Sequence, residues 1–246
     1  TLNFLIFYVY VNGSSFLMAF QKSIDGQTVW GFMNFVQFFQ EFSTEGSEMA
    51  EAIRNTFITF GIKLIMFPIS MLTSVFLYKK VWGHKVFRIL FFLPSLLSGT
   101  IIAELYIMLC NNTLGSEGLF SIIVKSLLDL DYFPSLLSEE RFANTFVMIN
   151  LIWIAFPADM IIWSGTLSRI PDSVLESAQL DGVNWWQEVT HIIIPLIWPT
   201  FALQSMLLCV GIFGSSGAVF LLTNMGDYGT QTLSNWMFMQ IYNQGG

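Results

Sequence analysis

Charged residues are scarce in this sequence. Asp, Glu, Lys and Arg make up 11% of the 246 residues, while 54% are hydrophobic. A soluble domain carries about a quarter charged residues, so this deficit excludes an ordinary soluble fold. The 25 Phe and 8 Trp also exclude a disordered chain, because such a chain has too few apolar groups to bury. A net charge of −7 argues against a nucleic-acid partner.

Reactive and metal-binding patterns are also missing. The two cysteines, Cys110 and Cys209, both lie in apolar runs and cannot form a disulfide framework or a metal-ligand spacing. No Walker motif is present, so the chain does not bind ATP through a P-loop. We therefore expect a chain with no metal, no cofactor and no catalytic residues.

Long apolar segments dominate what is present. Five of them, at about 2–21, 55–78, 89–110, 142–165 and 199–223, are long enough to cross a bilayer. Helices are expected, because backbone polar groups inside a membrane must be paired within the segment. The sequence predicts an all-α membrane protein with one transmembrane domain over residues 1–246. The chain opens inside an apolar run and ends without an apparent natural stop, so we expect a fragment.

Charge asymmetry between the connecting segments orients the chain. Segment 79–88 holds four basic residues and no acidic one, whereas segments 22–54 and 112–141 are mainly acidic. Lys and Arg favour the cytoplasmic side of a membrane. We therefore expect 79–88 inside and the two acidic segments outside, and alternation then makes 166–198 a cytoplasmic segment.

The segment 166–198 carries the most local information. Asp172 is expected to cap a short helix, and Gly182 stands where a helix commonly ends in a left-handed residue. Asn184 with Gln187 three residues later has the spacing of a capping box that opens a second helix. Pro195 is expected to redirect the chain into the next span. Two interpretations remain open here: a compact helix–turn–helix on the inner face, or an amphipathic connector lying on the membrane.

The same segment resembles a family motif. Glu176-Ser177-Ala178, three residues, Gly182, nine residues and then Ile192-Ile193-Ile194-Pro195 is similar to the Glu-Ala-Ala–x3–Gly–x9–Ile–x–Leu–Pro loop of ABC importer permeases. Ser177 and Ile194 depart mildly from that pattern. Asp181-Gly182 also resembles the Asp-Gly pair of the family.

Further matches extend the resemblance over nearly the whole chain. Gly31 to Phe35 resembles a Gly-Leu-x-Asn-Tyr segment, and Asn55-Thr56 resembles an Asn-Thr pair at the start of a span. Leu222 to Gly226 falls where the family has a Leu-Thr-x-Gly-Gly loop, although Met225 departs from the glycine. The pattern resembles the maltose-type, carbohydrate-importing branch of the binding-protein-dependent ABC importers.

This resemblance implies a fold, a function and a set of partners. The fold would be the type I ABC importer permease bundle, with a sixth span beyond the C-terminus. The function would be a permease subunit that forms part of the pathway for a sugar or oligosaccharide in a bacterial or archaeal cytoplasmic membrane. The partners would be a homologous permease subunit in a heterodimer, a cytoplasmic ABC ATPase dimer and an extracytoplasmic solute-binding protein. The residues that couple to the ATPase would be Glu176, Ser177, Ala178, Asp181, Gly182, Trp185 and Pro195.

Other functions remain as alternatives. An ion-gradient-driven secondary transporter would show inverted repeats with broken helices in both halves, and none is visible in the sequence. An intramembrane enzyme would need a catalytic pair at membrane depth, for which Glu104 and Asp159 are the acidic candidates.

Three ionisable residues fall inside the predicted spans, namely Lys63, Glu104 and Asp159. Intramembrane charges are costly and usually face a cavity or a partner. They either line the solute pathway or pair between helices, and Trp153 and Trp163 are candidates to stack on a sugar ring. Since consecutive antiparallel helices are often neighbours, we expect Lys63 to approach Glu104, and Asp159 to lie nearer the cytoplasmic side.

Overall fold

The computed structural model describes residues 2–24, 27–44, 46–112, 117–129, 131–214 and 217–244. The chain separates into two compact units, Thr1–Glu51 and Ala52–Gly246.

The first unit joins helices to a short hairpin. It contains α1 (Leu2–Phe4), a π-helical turn (Leu5–Tyr10), α2 (Val11–Met18), the antiparallel strands β1 (Gln21–Ile24) and β2 (Gln27–Trp30), and α3 (Met33–Ser43). The amide of Asn34 donates to the carbonyls of Ala19 at 3.0 Å and Gln21 at 2.8 Å. The predicted span 2–21 is therefore helical to Met18, and a short two-stranded hairpin follows it.

Helices are the regular secondary structure in the described residues of the second unit, and α4 runs across the boundary at Ala52. Its helices are α4 (Glu48–Tyr78), α5 (His84–Phe92), α6 (Gly99–Cys110), α7 (Leu119–Leu128), α8 (Glu140–Leu167), α9 (Asp172–Leu180), α10 (Trp185–Glu188), α11 (Ile194–Val210), α12 (Gly217–Leu222) and α13 (Leu233–Gln244).

Three helical stretches are long and apolar enough to cross a membrane: Glu48–Tyr78, Glu140–Leu167 and Trp185–Gly214. They confirm the predicted multi-pass helical membrane protein. Only 33%, 28% and 11%, respectively, of the most apolar stretch of each helix is buried inside the structure. Most of their apolar surface is therefore left to face lipid or another subunit.

Two of the predicted spans are interrupted. The segment 89–110 is not one helix, because α5 ends at Phe92, a 3-10 turn follows over Pro94–Leu96, and α6 begins at Gly99. Pro94 has no N–H to continue the helix. Ser98 then caps α6 by accepting a hydrogen bond from the backbone N–H of Ile101 at 3.3 Å.

The segment 199–223 is also divided. Its helix begins earlier than predicted and runs through α11 to Val210, followed by a 3-10 turn over Gly211–Gly214, and α12 begins at Gly217. Gly211 and Gly214 account for the change from α-helix to 3-10 turn, since glycine has a low helix propensity.

Helix α8 lies between two hydrophobic clusters. On one side Trp163 and Leu167 pack with residues of α4 and with the helix that follows Val189. On the other side Val147 packs with residues of α6 and α12. Helices α4 and α6 belong to the consecutive predicted spans 55–78 and 89–110. They nevertheless pack in different clusters.

Candidate functional site

The segment 172–188 forms a helical hairpin in which α9 and α10 meet at Gly182. Gly182 has a φ of +72°, the left-handed conformation that favours glycine. The side chain of Asn184 accepts from the N–H of Gln187 at 2.9 Å, and the side chain of Gln187 accepts from the N–H of Asn184 at 3.0 Å. The predicted helix–turn–helix and its capping box are confirmed.

Two local expectations about this segment are wrong. Asp172 does not cap α9, because the helix begins at Asp172 itself and Pro171 precedes it without a side-chain hydrogen bond. Asp172 stands instead in the first turn, where a negative charge is favoured by the helix dipole.

Pro195 does not redirect the chain. It follows a π-helical turn over Val189–Ile193, and the helix continues from Trp185 to Gly214. The wider π-turn provides the irregular hydrogen bonding that a residue without an N–H requires. The segment predicted as 166–198 therefore ends near residue 184.

One face of the hairpin is fixed to the end of α4. The ring of Trp185 stacks on Phe76 with centroids 5.0 Å apart, and the ammonium of Lys79 forms an ion pair with the buried carboxylate of Glu188. Ala178 is also buried. The opposite face is open, and its exposed residues include Glu176, Ser177, Asp181 and Gly182.

The basic segment after α4 lies beside the same hairpin. Lys80, His84 and Arg88 line a cavity together with Asp172 and Gln179 of α9. Segments 79–88 and 172–188 therefore share one end of α4, as the alternation of the charge pattern requires. Which side of the membrane this end faces stays a prediction.

The other end of α4 holds the loop 223–232. The amide of Asn55 donates to the carbonyls of Gly229 at 2.8 Å and Gln231 at 2.9 Å, and Asn144 donates to Asn55 at 2.9 Å. The N–H of Leu233 donates to the hydroxyl of Thr56 at 2.8 Å. These bonds tie the loop to α4, and the bond from Asn144 ties α4 to the start of α8.

The backbone of this loop is strained. Left-handed φ angles occur at five positions, Asn224, Met225, Gly226, Tyr228 and Gly229. Met225 adopts this conformation where the resembling motif has a glycine. Sequence reasoning missed the polar network beneath the loop, although the Asn-Thr pair at 55–56 was a signal for it.

A cavity of about 350 Å³ lies among α4, α8 and α11, between the two ends of α4. Its polar side chains are Thr59, Lys63, Asp159 and Gln204. Lys63 and Asp159, which differ in the sign of their charge, both line this cavity. The other lining residues are Ala, Ile, Leu, Met and Phe, so the walls are mainly apolar, as in many small-molecule sites.

The expected approach of Lys63 to Glu104 is wrong. Glu104 is exposed on α6 and does not line this cavity. Asp159 is the acidic residue that lines the cavity together with Lys63. The prediction failed because α8 rather than α6 packs beside α4. In addition, an estimate of depth from the position of the backbone does not include the long reach of a lysine side chain.

The two tryptophans predicted for the pathway lie elsewhere. Trp163 is fully buried, packs against Phe67 and Phe201, and donates from Nε1 to the hydroxyl of Ser70 at 3.2 Å. It is a core residue in this structure and does not line the cavity. Trp153 is exposed and lies 6.0 Å from the ring of Tyr106, also outside the cavity lining.

Residues 65–245 match the family described as binding-protein-dependent transport system inner membrane component. The chain belongs to this family. Together with the three long apolar helices, membership establishes a multi-pass membrane protein related to transport permease subunits.

Two curated relatives have names that specify sugars. The chain is 28% identical over 202 residues to the alpha-glucoside transport system permease protein AglF of Rhizobium meliloti (strain 1021). The matched region covers 81% of this chain and 59% of that protein. It is 25% identical over 253 residues to the arabinooligosaccharides transport system permease protein AraP of Bacillus subtilis (strain 168), with 100% of this chain and 77% of that protein covered. The chain thus spans 59% of the length of the alpha-glucoside relative.

A solved structure confirms the fold class. The structure of the present chain superimposes with a TM-score of 0.75 on a chain of a bacterial ABC transporter involved in the import of the acidic polysaccharide alginate. The two chains are 26% identical, and the match covers 98% of this chain and 80% of the other. The predicted all-α bundle of the type I ABC importer permease kind is confirmed. The sixth span expected beyond the C-terminus stays a prediction.

Proposed function

We propose that this chain is the transmembrane permease subunit of an ATP-driven ABC importer, and that it forms part of the pathway for a sugar or oligosaccharide. It lies in a bacterial or archaeal cytoplasmic membrane and makes no covalent bond itself, since a separate ATPase hydrolyses ATP. Family membership and the sugars named in its relatives support this function.

The hairpin 172–188 is the observation that carries the proposal. Its open face presents Glu176, Ser177 and Asp181, which suits contact with the cytoplasmic ATPase. Its other face is fixed to α4 through Trp185 and Glu188. A movement of the ATPase that shifts the hairpin would therefore shift α4. Ala178 and Pro195 act indirectly in this scheme, by packing the hairpin and by continuing it into α11.

The cavity connects this movement to the solute. Lys63 is 13 residues from Phe76 along α4, about 20 Å at 1.5 Å per residue. In this scheme, a movement at one end of α4 is passed along the helix, through Pro68, to a lining residue of the cavity. We assign Lys63 and Asp159 to the solute pathway. Glu104 is exposed on α6 and is better placed to contact the partner permease, since a charged side chain in lipid is costly. Trp153 is better placed to face lipid or the partner permease.

Three partners complete the proposed importer. The largely unburied apolar helices support pairing with a second permease subunit, which we take to be a homologue in a heterodimer. An ATPase dimer would contact the hairpin. The loop 223–232, with Asn224, Asp227 and Tyr228 exposed, lies at the end of α4 away from the hairpin and is available to an extracytoplasmic solute-binding protein.

Co-purification tests the proposal directly. The affinity-tagged chain, produced in its native host and extracted in mild detergent, should carry an ATPase with it, and ATP hydrolysis in the eluate should depend on that second chain. A folded, monodisperse permease that retains no ATPase after extraction and crosslinking would contradict the proposed function. An ion-driven transporter would give that result.

A further inference from the structure

We propose that Lys63 and Asp159 form a charge filter: together they let the cavity accept a neutral, hydroxyl-rich solute and disfavour a solute with a single net charge. This inference rests on the proposed transport function and specifies the solute class of that pathway. The two residues would be specificity-determining, and neither would take part in a reaction.

The placement of the pair is the first argument. Lys63 comes from α4 and Asp159 from α8, and both line the cavity of about 350 Å³. Among the lining residues that the structure describes, these two carry the charges. The cavity wall therefore has a net charge of zero but presents one strong donor and one strong acceptor.

The energetic consequence differs between solutes. A solute with one carboxylate would be attracted to Lys63 and repelled by Asp159, and binding it would give the occupied cavity a net negative charge. An unbalanced charge in a mainly apolar cavity is costly, because such a cavity solvates it poorly. A solute with one ammonium group meets the same difficulty with the roles exchanged.

A neutral polyol avoids this cost. Each of its hydroxyl groups donates one hydrogen bond and accepts others, so neighbouring hydroxyls bind Asp159 and Lys63 at the same time. The charges stay paired across the solute, and both hydrogen bonds are charge-assisted, hence among the stronger ones. Thr59 and Gln204 offer further neutral hydrogen-bonding groups on the same wall.

A purely structural role for the pair makes a different prediction. If Lys63 and Asp159 only hold α4 to α8, their removal changes the stability of the protein and leaves the ranking of solutes unaltered. The ranking of charged against neutral solutes is therefore the measurement that separates the two roles.

The experiment compares variants in which the net charge of the cavity differs while the side chains keep a similar size. Asp159→Asn leaves a charge of +1, Lys63→Gln leaves −1, and the double variant is neutral. Equilibrium binding to the full chain in detergent is measured for three disaccharides: maltose, an aldobiouronic acid with one carboxylate, and a disaccharide containing one glucosamine. Glu104→Gln, which removes an exposed charge outside the cavity, is the matched control.

The wild type and the double variant should prefer maltose. Asp159→Asn should raise the affinity ratio of the acidic disaccharide to maltose by about tenfold or more, and Lys63→Gln should do the same for the glucosamine disaccharide, since charge attraction is strong in a poorly hydrated site. Glu104→Gln should change neither ratio.

Three results would overturn the filter: a wild type that binds the acidic disaccharide as tightly as maltose, a wild type that binds no neutral disaccharide, or folded single variants with unchanged ratios. Each would leave co-purification of the ATPase unaffected. Failure of this inference is thus distinguishable from failure of the proposed function.

Discussion

The loop 223–232 and the hairpin 172–188 change the direction of the chain at opposite ends of α4, and they are stabilised in different ways. The loop has five left-handed residues and hydrogen bonds from residues more than 170 positions away, such as Asn55. The hairpin turn has a single left-handed glycine and a capping box within four residues. The conformation of the loop therefore depends on hydrogen bonds from distant parts of the chain, whereas the turn of the hairpin is stabilised by its own residues.

Replacing Gly226 of the loop and Gly182 of the hairpin by alanine should give the largest difference in the free energy of unfolding. A Cβ at Gly226 would lie 2.8 Å from Nδ2 of Asn235 and 3.1 Å from Cα of Gln231, at a φ of +110°. We expect Gly226→Ala to cost roughly 2–5 kcal/mol in the free energy of unfolding, through backbone strain and overpacking. The midpoint of thermal unfolding in detergent measures this.

Gly182→Ala is the matched control. A Cβ there meets nothing within 4 Å, so only the left-handed conformation is penalised, by about 1–2 kcal/mol. Equal losses of stability in the two variants would show that the loop is no more tightly held than the hairpin turn.

Removing the support beneath the loop should have the next largest effect. Asn55→Leu deletes two hydrogen bonds to loop carbonyls and leaves Asn144 without this acceptor, at a cost of about 2–3 kcal/mol for buried groups. The loop should open locally, and chymotrypsin cleavage after the exposed Tyr228 should accelerate by about tenfold or more.

Asn12→Leu serves as a comparison for this variant. The amide of Asn12 is exposed and donates to the carbonyl of Tyr8 one turn earlier. Cleavage after Tyr228 should match the wild-type rate. Unchanged cleavage in Asn55→Leu would mean that the hydrogen bonds from Asn55 do not hold the loop.

The contrast between these regions explains what could be predicted from the sequence. The hairpin was predictable because Gly182, Asn184 and Gln187 act through neighbours along the chain. The network around Asn55 and the partner of Lys63 depend on which helices pack together, and sequence adjacency wrongly favoured α6. The spans over 55–78 and 142–165 followed from length and hydropathy alone. The breaks near Pro94 and Gly211 were missed because apolar composition continues across them.

The attachment of the hairpin should be weaker than that of the loop. Glu188 has 4% of its side chain exposed and Lys79 has 20%, so Lys79→Met leaves a buried carboxylate that water reaches poorly. We expect a loss of about 1–3 kcal/mol, below the value for a fully buried pair because Lys79 is partly hydrated. The midpoint of thermal unfolding is again the measurement.

A double variant tests whether the ion pair itself is responsible. The second carboxylate oxygen of Glu188 has no hydrogen-bond partner in the described part of the chain, so replacing both residues should restore stability. Lys79→Met with Glu188→Leu should therefore be more stable than Lys79→Met alone. Lys80→Met, at an exposed neighbour, should have little effect. A double variant less stable than Lys79→Met would contradict the explanation.

The smallest effect on stability, and the most specific effect on function, should come from the open face of the hairpin. Glu176 is exposed on α9, and surface substitutions usually change the free energy of unfolding by less than about 0.5 kcal/mol. Glu176→Lys should thus unfold at the wild-type midpoint while the amount of co-purified ATPase falls by about tenfold, because the reversed charge alters only the contact surface. Asp131→Lys makes the same charge change at an exposed site in the segment predicted to lie outside and should retain the ATPase. If Glu176→Lys retained it as well, the open face of the hairpin would not be the docking surface. If the midpoint fell instead, Glu176 would belong to the stabilising contacts of the hairpin, and the distinction between its fixed and open faces would be lost.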